Sequence, residues 1–212
     1  DVPLGYGMTF YNKKINWNFY SKSQKNLNGR EIYYPRGKVL GGSSSINGMV
    51  YARGLDTDYF DWNDNDQWDL FNIKNNFEEI EQKIDQNTNI LNPNKIPVND
   101  VSYLHHPILK NFFDGSNELN IKFNKNLSTH ISNQVGHYNI NTFRGIRHSS
   151  SKVFLRPIIK NSRIQLMTHA QVKKLIIKDK KITAIELVSR GKNFKIKPNI
   201  GTILSSGSIM TP

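Results

Sequence analysis

The sequence predicts an α/β architecture, in detail an α+β piece of a larger domain, and three observations carry that expectation. Apolar residues recur at helical spacing in the first half, and the last third changes to strand-like alternation. The chain then closes on a short apolar run that meets a glycine turn. At 212 residues it is long enough for one large domain or two small ones. No internal repeat interrupts this order.

Residues 1–35 read as irregular, with Gly5, Gly7 and Asn28-Gly29 marking turns. A turn at Gly41–Ser45 leads into a short helix over roughly 43–50. Residues 55–67 are rich in Asp, Asn and aromatics and read as a surface loop anchored by Trp62 and Trp68. Asp69 suits the N-cap of the first clear helix, in which Leu70, Ile73, Phe77, Ile80 and Ile84 recur at three- and four-residue spacing. Residues 85–100, rich in Asn and Pro, read as an unpaired linker. A second helix follows Pro107, with Ile108, Leu109, Phe112, Phe113 and Leu119 on one face. Strand alternation covers Ile164 to Ile177, Ile182 to Val188 and Phe194 to Ile196, with Asp179-Lys180 as a hairpin turn. Ile200 to Leu204 reads as a short buried strand before Ser205-Ser206-Gly207.

Formal net charge is +12, which raises nucleic acid or an anionic membrane as partner. The distribution points away from both. Lysines outnumber arginines 21 to 8 and are scattered. The densest run, Lys173-Lys174 through Lys178-Asp179-Lys180-Lys181, falls on the predicted hairpin and reads as a solvated edge. With no Cys, disulfides, thiolate metal sites and Cys nucleophiles are excluded for this chain. No apolar run approaches the ~18 residues that span a bilayer. The expected location is cytoplasmic or peripheral at the inner membrane.

Six histidines invite a metal or catalytic reading. His105-His106 lack the paired spacing of a helix-borne metal site, and His130, His137, His148 and His169 have no acidic partner at a fixed offset. They read as surface or hydrogen-bonded structural residues, and no metal site is expected. Ser149-Ser150-Ser151 lacks the Gly-x-Ser-x-Gly elbow of a hydrolase and suits the N-cap of a helix.

The most informative stretch runs Tyr34-Pro35-Arg36-Gly37-Lys38-Val39-Leu40-Gly41-Gly42-Ser43-Ser44-Ser45-Ile46-Asn47-Gly48-Met49-Val50-Tyr51-Ala52-Arg53-Gly54. Its glycines let backbone approach a bulky ligand, and its serines suit a helix start that seats an electron-rich group. On the residues alone it is a loop-to-helix cradle for an unspecified ligand.

This stretch closely resembles the first signature of the glucose–methanol–choline (GMC) flavoprotein oxidoreductases. Leu204-Ser205-Ser206-Gly207-Ser208-Ile209-Met210-Thr211-Pro212 looks like the opening of that family's second signature. Matches in the right order lie around them: Asn16-Trp17-Asn18-Phe19-Tyr20, Asp58-Tyr59-Phe60-Asp61-Trp62, and Arg147 through Leu155. The family's dinucleotide fingerprint, Gly-x-Gly-x-x-Gly, is absent, since Gly5-Tyr6-Gly7 has no third glycine. The region that bears the family's catalytic His pair, or His–Asn pair, is also absent. The chain is therefore expected to be an internal fragment, inactive alone, with no catalytic residue of its own.

The resemblance implies part of a FAD-binding Rossmann-like domain with the start of a substrate domain. Residues 1–54 would supply the FAD-contacting loop and helix, 55–100 a helical and loop excursion, 101–160 a helix and connecting segment, and 161–212 strands returning to the FAD-binding domain. Val39, Gly41 and Gly42 correspond to the turn against the FAD pyrophosphate and ribityl chain, and Ser43 opens the helix that faces it. Asn47, Gly48 and Val50 match positions lining the isoalloxazine ring. Val172, in Thr168-His169-Ala170-Gln171-Val172, matches the strand that reaches the adenine. Ile46 stands where some members attach FAD through His, so non-covalent FAD is expected. Ser206 and Ser208 stand where Ala is commoner. The implied activity is hydride transfer from a primary, choline-like alcohol to flavin N5, with a small-molecule alcohol as substrate, an unspecified electron acceptor and no nucleic acid. The alternative is a non-catalytic fragment, a decayed gene product or a basic interaction module.

Overall fold

A computed structural model of the chain describes residues 2–62, 68–125, 127 and 133–212. His130 lies outside the described residues, as do 63–67 of the aromatic loop. The fold mixes helix and strand, as the sequence predicts, in two compact units: Asp1–Lys160 and Asn161–Pro212.

The first unit contains a four-stranded mixed sheet in the order Val50–Tyr51, Asn139–Ile140, Ile96–Asn99, Glu81–Ile84. The last two strands run parallel and the other pairings are antiparallel. Ile84, Pro97 and Val98 are buried in this sheet, with Ile46, Met49, Ile73 and Val153 completing the apolar core of the unit. The expectation of an unpaired linker over 85–100 is thus corrected in its second half. Residues 85–95 are the crossover that a parallel pair requires, whereas Ile96–Asn99 is an inner strand. Composition misleads there because Pro97 and Asn99 carry the signature of a loop while standing in a buried strand. Pro97 keeps its place although proline cannot donate to a ladder.

Helix Leu70–Ile80 begins as predicted: Asp69 accepts the Asn72 amide at 2.6 Å. It stops four residues before Ile84, because Glu81 is drawn into the sheet opposite Ile96. The second helix, Leu109–Glu118, presents a different face from the one expected. Leu109 and Phe113 are half-buried and Ser116 is buried, whereas Ile108, Phe112 and Leu119 are exposed. The anchor is Phe113, whose ring lies 4.8 Å from that of Phe123 and 5.0 Å from that of His137.

The opening is less irregular than its turn residues suggest. Pro3–Gly5 and Tyr6–Thr9 make successive helical turns, and Phe19–Tyr20 pairs with Tyr33–Tyr34. Asn28 and Gly29 do form a left-handed turn. In the aromatic loop, Asp56–Trp62 is helical, and Trp62 and Trp68 stack edge to face while remaining half exposed.

The second unit is an antiparallel meander of Ala170–Lys178, Lys181–Ser189 and Lys192–Ile196. Asp179-Lys180 makes the first turn with φ of 48° and 60°, and Arg190-Gly191 the second with 47° and 77°. Both are the mirror-image turns that match strand twist. The lysines of the basic run are exposed along this hairpin. The first strand starts at Ala170 rather than Ile164 because His169, at φ 52°, leaves extended geometry. Ile200 to Leu204 is not a strand. No described strand pairs with it, and Ile200 and Ile203 are exposed. The helical turn Gly207–Met210 follows it. Among the described residues no helix is long and apolar enough to cross a membrane.

Candidate functional site: the glycine turn and its clips

Glycine is required twice at the centre of the turn. Gly41 sits at φ 87°, and a Cβ there would stand 2.5 Å from Ser45 Oγ and 3.0 Å from Ser151 Cβ. Gly37 must also lack a side chain, since its Cβ would fall 2.1 Å from the Gly42 carbonyl oxygen. Gly42 differs from both: at φ 53° it has nothing within 4 Å of the Cβ direction. Backbone is packed behind the turn and open in front of it. A flat or phosphorylated ligand fits such a surface without displacing a side chain.

The helix expected over 43–50 is a single tight turn, Gly42–Ser45, that ends at Ile46. Its serines explain why. Ser44 Oγ donates to Gly41 O at 2.6 Å, Ser45 Oγ donates to Leu40 O at 2.8 Å, and Ser43 Oγ accepts the Gly37 amide at 3.2 Å. Each hydroxyl bonds local backbone, which competes with helix propagation. The serines staple the loop.

Two distant segments clip this turn. From the N-terminal side, buried Asn16 donates through Nδ2 to Phe10 O at 2.6 Å and accepts the Asn18 and Arg36 amides at 3.0 and 2.9 Å. Trp17 N also donates to Arg36 O, and Lys38 N to Ile15 O. From the other side, Ser150 N donates to Ser44 Oγ at 3.0 Å, while Ser150 Oγ donates to Gly41 O at 3.2 Å. Ser150 therefore binds across the chain rather than capping its own helical turn, Ser151–Leu155, where it makes no side-chain cap.

Arg147 lies beside these clips and is only 3% exposed. Its Nη1 donates to Asn47 Oδ1 at 2.7 Å and to Ser44 O at 3.1 Å; its Nη2 donates to Asn47 O at 2.6 Å. Burial pulls its pKa below the ordinary arginine value. Asn47 Oδ1 also accepts the Met49 amide at 3.1 Å, and Met49 is held at φ 66°, a conformation that costs a bulky residue energy.

The predicted cofactor residues are distributed as follows. Val39 and Gly41 to Ser43 form the turn, Asn47 and Gly48 follow it, and Val50, 56% exposed, opens a strand and pairs with Ile140. Val172 belongs to the second unit, paired with Leu187 and 52% exposed. Ile46 is buried. The sequence singled out the segments containing Asn16, Arg147 and Ser150 but gave these three residues no site role. Their order along the chain was the available signal; their meeting was not.

A separate cavity of about 470 Å³ is lined in part by Tyr51, Arg53, Glu81, Asp100 and Lys125, and none of the predicted cofactor residues lines it. On its wall, Arg53 holds the Glu81 carboxylate with both Nε, at 2.9 Å, and Nη2, at 2.5 Å, and the Tyr51 hydroxyl donates to the same carboxylate. Burial and then Glu81 drive the Tyr51 phenol far above its ordinary range, and the Glu81 hydrogen bond raises Arg53. Both Tyr51 and the ionic Arg53 are thus committed to Glu81. The histidines also meet partners hidden from sequence offset: the His105 and His137 rings lie 4.4 Å apart, and the Asp100 charge acts on His137. Among the described residues no group of three or more His, Cys, Asp or Glu could hold a metal ion.

These features coincide with a family match over residues 12–212 to GMC oxidoreductase, and the chain belongs to that family. It is 32% identical to an alcohol dehydrogenase [acceptor] of Pseudomonas putida, covering 100% of this chain and 39% of the relative. It is 30% identical to an oxygen-dependent choline dehydrogenase of Staphylococcus saprophyticus, covering 95% and 37%. The fold is similar to pyridoxine 4-oxidase from Mesorbium loti, with a TM-score of 0.79 at 18% identity over 92% of this chain and 39% of that one. A FAD-dependent oxidoreductase from Chaetomium thermophilum gives 0.74 at 17% identity, over 87% and 35%. The chain spans less than two fifths of the length of each of these proteins.

Proposed function

We propose that this chain supplies the cofactor-cradling part of a FAD-dependent oxidoreductase that acts on the CH–OH group of a primary, choline-like alcohol. The observation that carries the reading is the Gly41-Gly42 turn, packed behind and open in front, in a chain of the GMC oxidoreductase family. Relatives named for alcohol and choline oxidation support the substrate class.

In this reading Val39, Gly41, Gly42 and Ser43 hold the pyrophosphate and ribityl chain, Asn47, Gly48 and Val50 border the ring, and Val172 serves the adenine. Bound FAD supplies the hydride acceptor. The chain's part is to bind and orient: glycine backbone permits close approach, while the serine, Asn16 and Arg147 contacts keep the turn rigid, which lowers the ordering cost of binding. Proton transfer from the alcohol falls to a base outside this chain.

Gly42→Val tests the cradle, because its side chain enters open space in front of the turn, and Gly42→Asn, which tolerates the left-handed φ of 53°, separates the effect of bulk from the backbone strain that valine meets there. In the full-length protein each variant should lose flavin while keeping its circular dichroism spectrum. Purification with full yellow colour would overturn the assignment. We further propose that FAD is held without a covalent bond, since Ile46 has no nucleophilic nitrogen and the chain has no Cys. Acid precipitation should leave flavin in the supernatant, and a yellow pellet would contradict this.

A further inference from the structure

Arg147 is a buried cation beside the glycine turn, and among the described residues every hydrogen bond it makes is to a neutral oxygen: Ser44 O, Asn47 Oδ1 and Asn47 O. No carboxylate forms an ion pair with it among the described residues. Buried charges are ordinarily paired, because desolvation is costly. Packing alone does not account for a guanidinium here, since the three carbonyl-type oxygens could be met by neutral donors. The three bonds also converge on one short stretch. Asn47 takes two of them, and its Oδ1 simultaneously holds the Met49 amide in the left-handed turn.

We propose that Arg147 is a positioning residue that acts through Asn47, fixing the Asn47–Met49 turn and placing an unneutralised positive charge behind it. The charge favours an electron-rich or anionic group seated against that turn. Resting on the flavin reading above, the group favoured is the reduced, more negative state of the bound flavin over the oxidised state. Shape would hold the cofactor; Arg147 would bias its potential.

Two variants in the full-length protein separate charge from geometry. Asn47→Asp keeps the size and both acceptor contacts while neutralising Arg147. Arg147→Lys keeps the charge but loses the fork that reaches two Asn47 oxygens. The first measurement needs no flavin: thermal melting of the Asn47→Asp protein from pH 7 to pH 3. An unneutralised Arg147 depresses the new carboxyl, so the variant should melt above wild type at pH 7, with the gain lost as pH falls through the folded-state pKa. A variant that melts below wild type at pH 7 shows that the charge is already balanced, and overturns the proposal.

The second measurement is the midpoint potential of bound flavin. Asn47→Asp should weaken binding of the reduced relative to the oxidised form about tenfold, a fall of about 30 mV for two electrons. Arg147→Lys should lower the melting temperature yet leave the potential nearer to wild type. Flavin bound with an unchanged potential in Asn47→Asp overturns the inference and leaves the flavin reading intact. Wild-type protein without flavin overturns that reading instead, and the sign of the melting shift still decides the charge.

Discussion

The Ser150 amide donates to the Ser44 hydroxyl at 3.0 Å, joining two segments 106 positions apart in sequence. The Ser44 hydroxyl itself donates a hydrogen bond to Gly41 O at 2.6 Å, so one hydroxyl links the glycine turn to itself and to the segment that follows Arg147. The contact is partly open to water, which softens its loss. Ser44→Ala should therefore cost about 1–2 kcal/mol of stability, the net worth of one or two such bonds. Urea unfolding reads this directly, and a change below a few tenths of a kcal/mol would show that the link is dispensable.

Glu81 presents the opposite case, an ion pair on the cavity wall whose two side chains are themselves mostly buried. Its side chain is 5% exposed and that of Arg53 14%. Glu81→Gln keeps the shape but leaves Arg53 without its carboxylate and removes the charged acceptor of Tyr51. Breaking one side of a buried pair typically costs about 3–5 kcal/mol. Replacing Arg53 and Glu81 together, with Met and Leu, should cost less than Glu81→Gln alone. Equal losses in single and double variants, measured by denaturant unfolding, would contradict the pairing.

How far such features could be read beforehand depends on whether they are local. The Asp69 cap, the start of its helix and the Asp179-Lys180 turn were legible because their chemistry lies within four residues. The end of the same helix was not, because Glu81 is taken by a strand, Ile96–Asn99, whose Asn and Pro content reads as loop. Ile200 to Leu204 had the apolar content of a strand, but ladder formation needs a partner and no described strand supplies one. At the site, Gly37, Gly41 and Gly42 announced close backbone approach. Their serines suggested a helix start, whereas the hydroxyls turn back onto Gly41 and Leu40. Buried Arg147 could not be foreseen, since nothing near it in sequence explains its burial.

The two turns of the meander offer an internal comparison. Arg190-Gly191 places glycine at the second left-handed position, whereas Asp179-Lys180 places a lysine there at φ 60°. A non-glycine residue in that region pays about 1 kcal/mol in backbone strain. A Cβ-free residue relieves it at the expense of extra unfolded-state entropy. Lys180→Gly should therefore stabilise the hairpin by about 0.5 kcal/mol, and Asp179→Asn with Lys180→Gly somewhat more. Amide exchange across Ile177 and Ile182 would slow accordingly. Faster exchange in the glycine variant would mean that Lys180 contributes contacts worth more than its strain.

Stability should fall as the solution is acidified below about pH 6.5, and the histidine cluster sets that window. Burial first, then the neighbouring His105, lowers the His137 pKa, with Asp100 partly opposing them; burial likewise lowers His148. A depressed histidine pKa means that the unfolded chain binds more protons than the folded one between the two values. The contribution is therefore complete above the unfolded value and is lost as pH falls through the folded value. Carboxylates act in a lower window. The Thr88 hydrogen bond leads in lowering Asp85, and at Asp100 burial, the largest single influence, is outweighed by the Ser102 hydrogen bonds together with the Lys125 and His137 charges, so their contributions fade only below about pH 4. His137→Asn should reduce the fall in melting temperature below about pH 6.5, leaving the share that His148 contributes and the loss below pH 4. A wild-type melting temperature that rises from pH 7 to pH 5 would reverse the sign and show the ring to be stabilised in its charged form, as a dominant pairing with Asp100 would require.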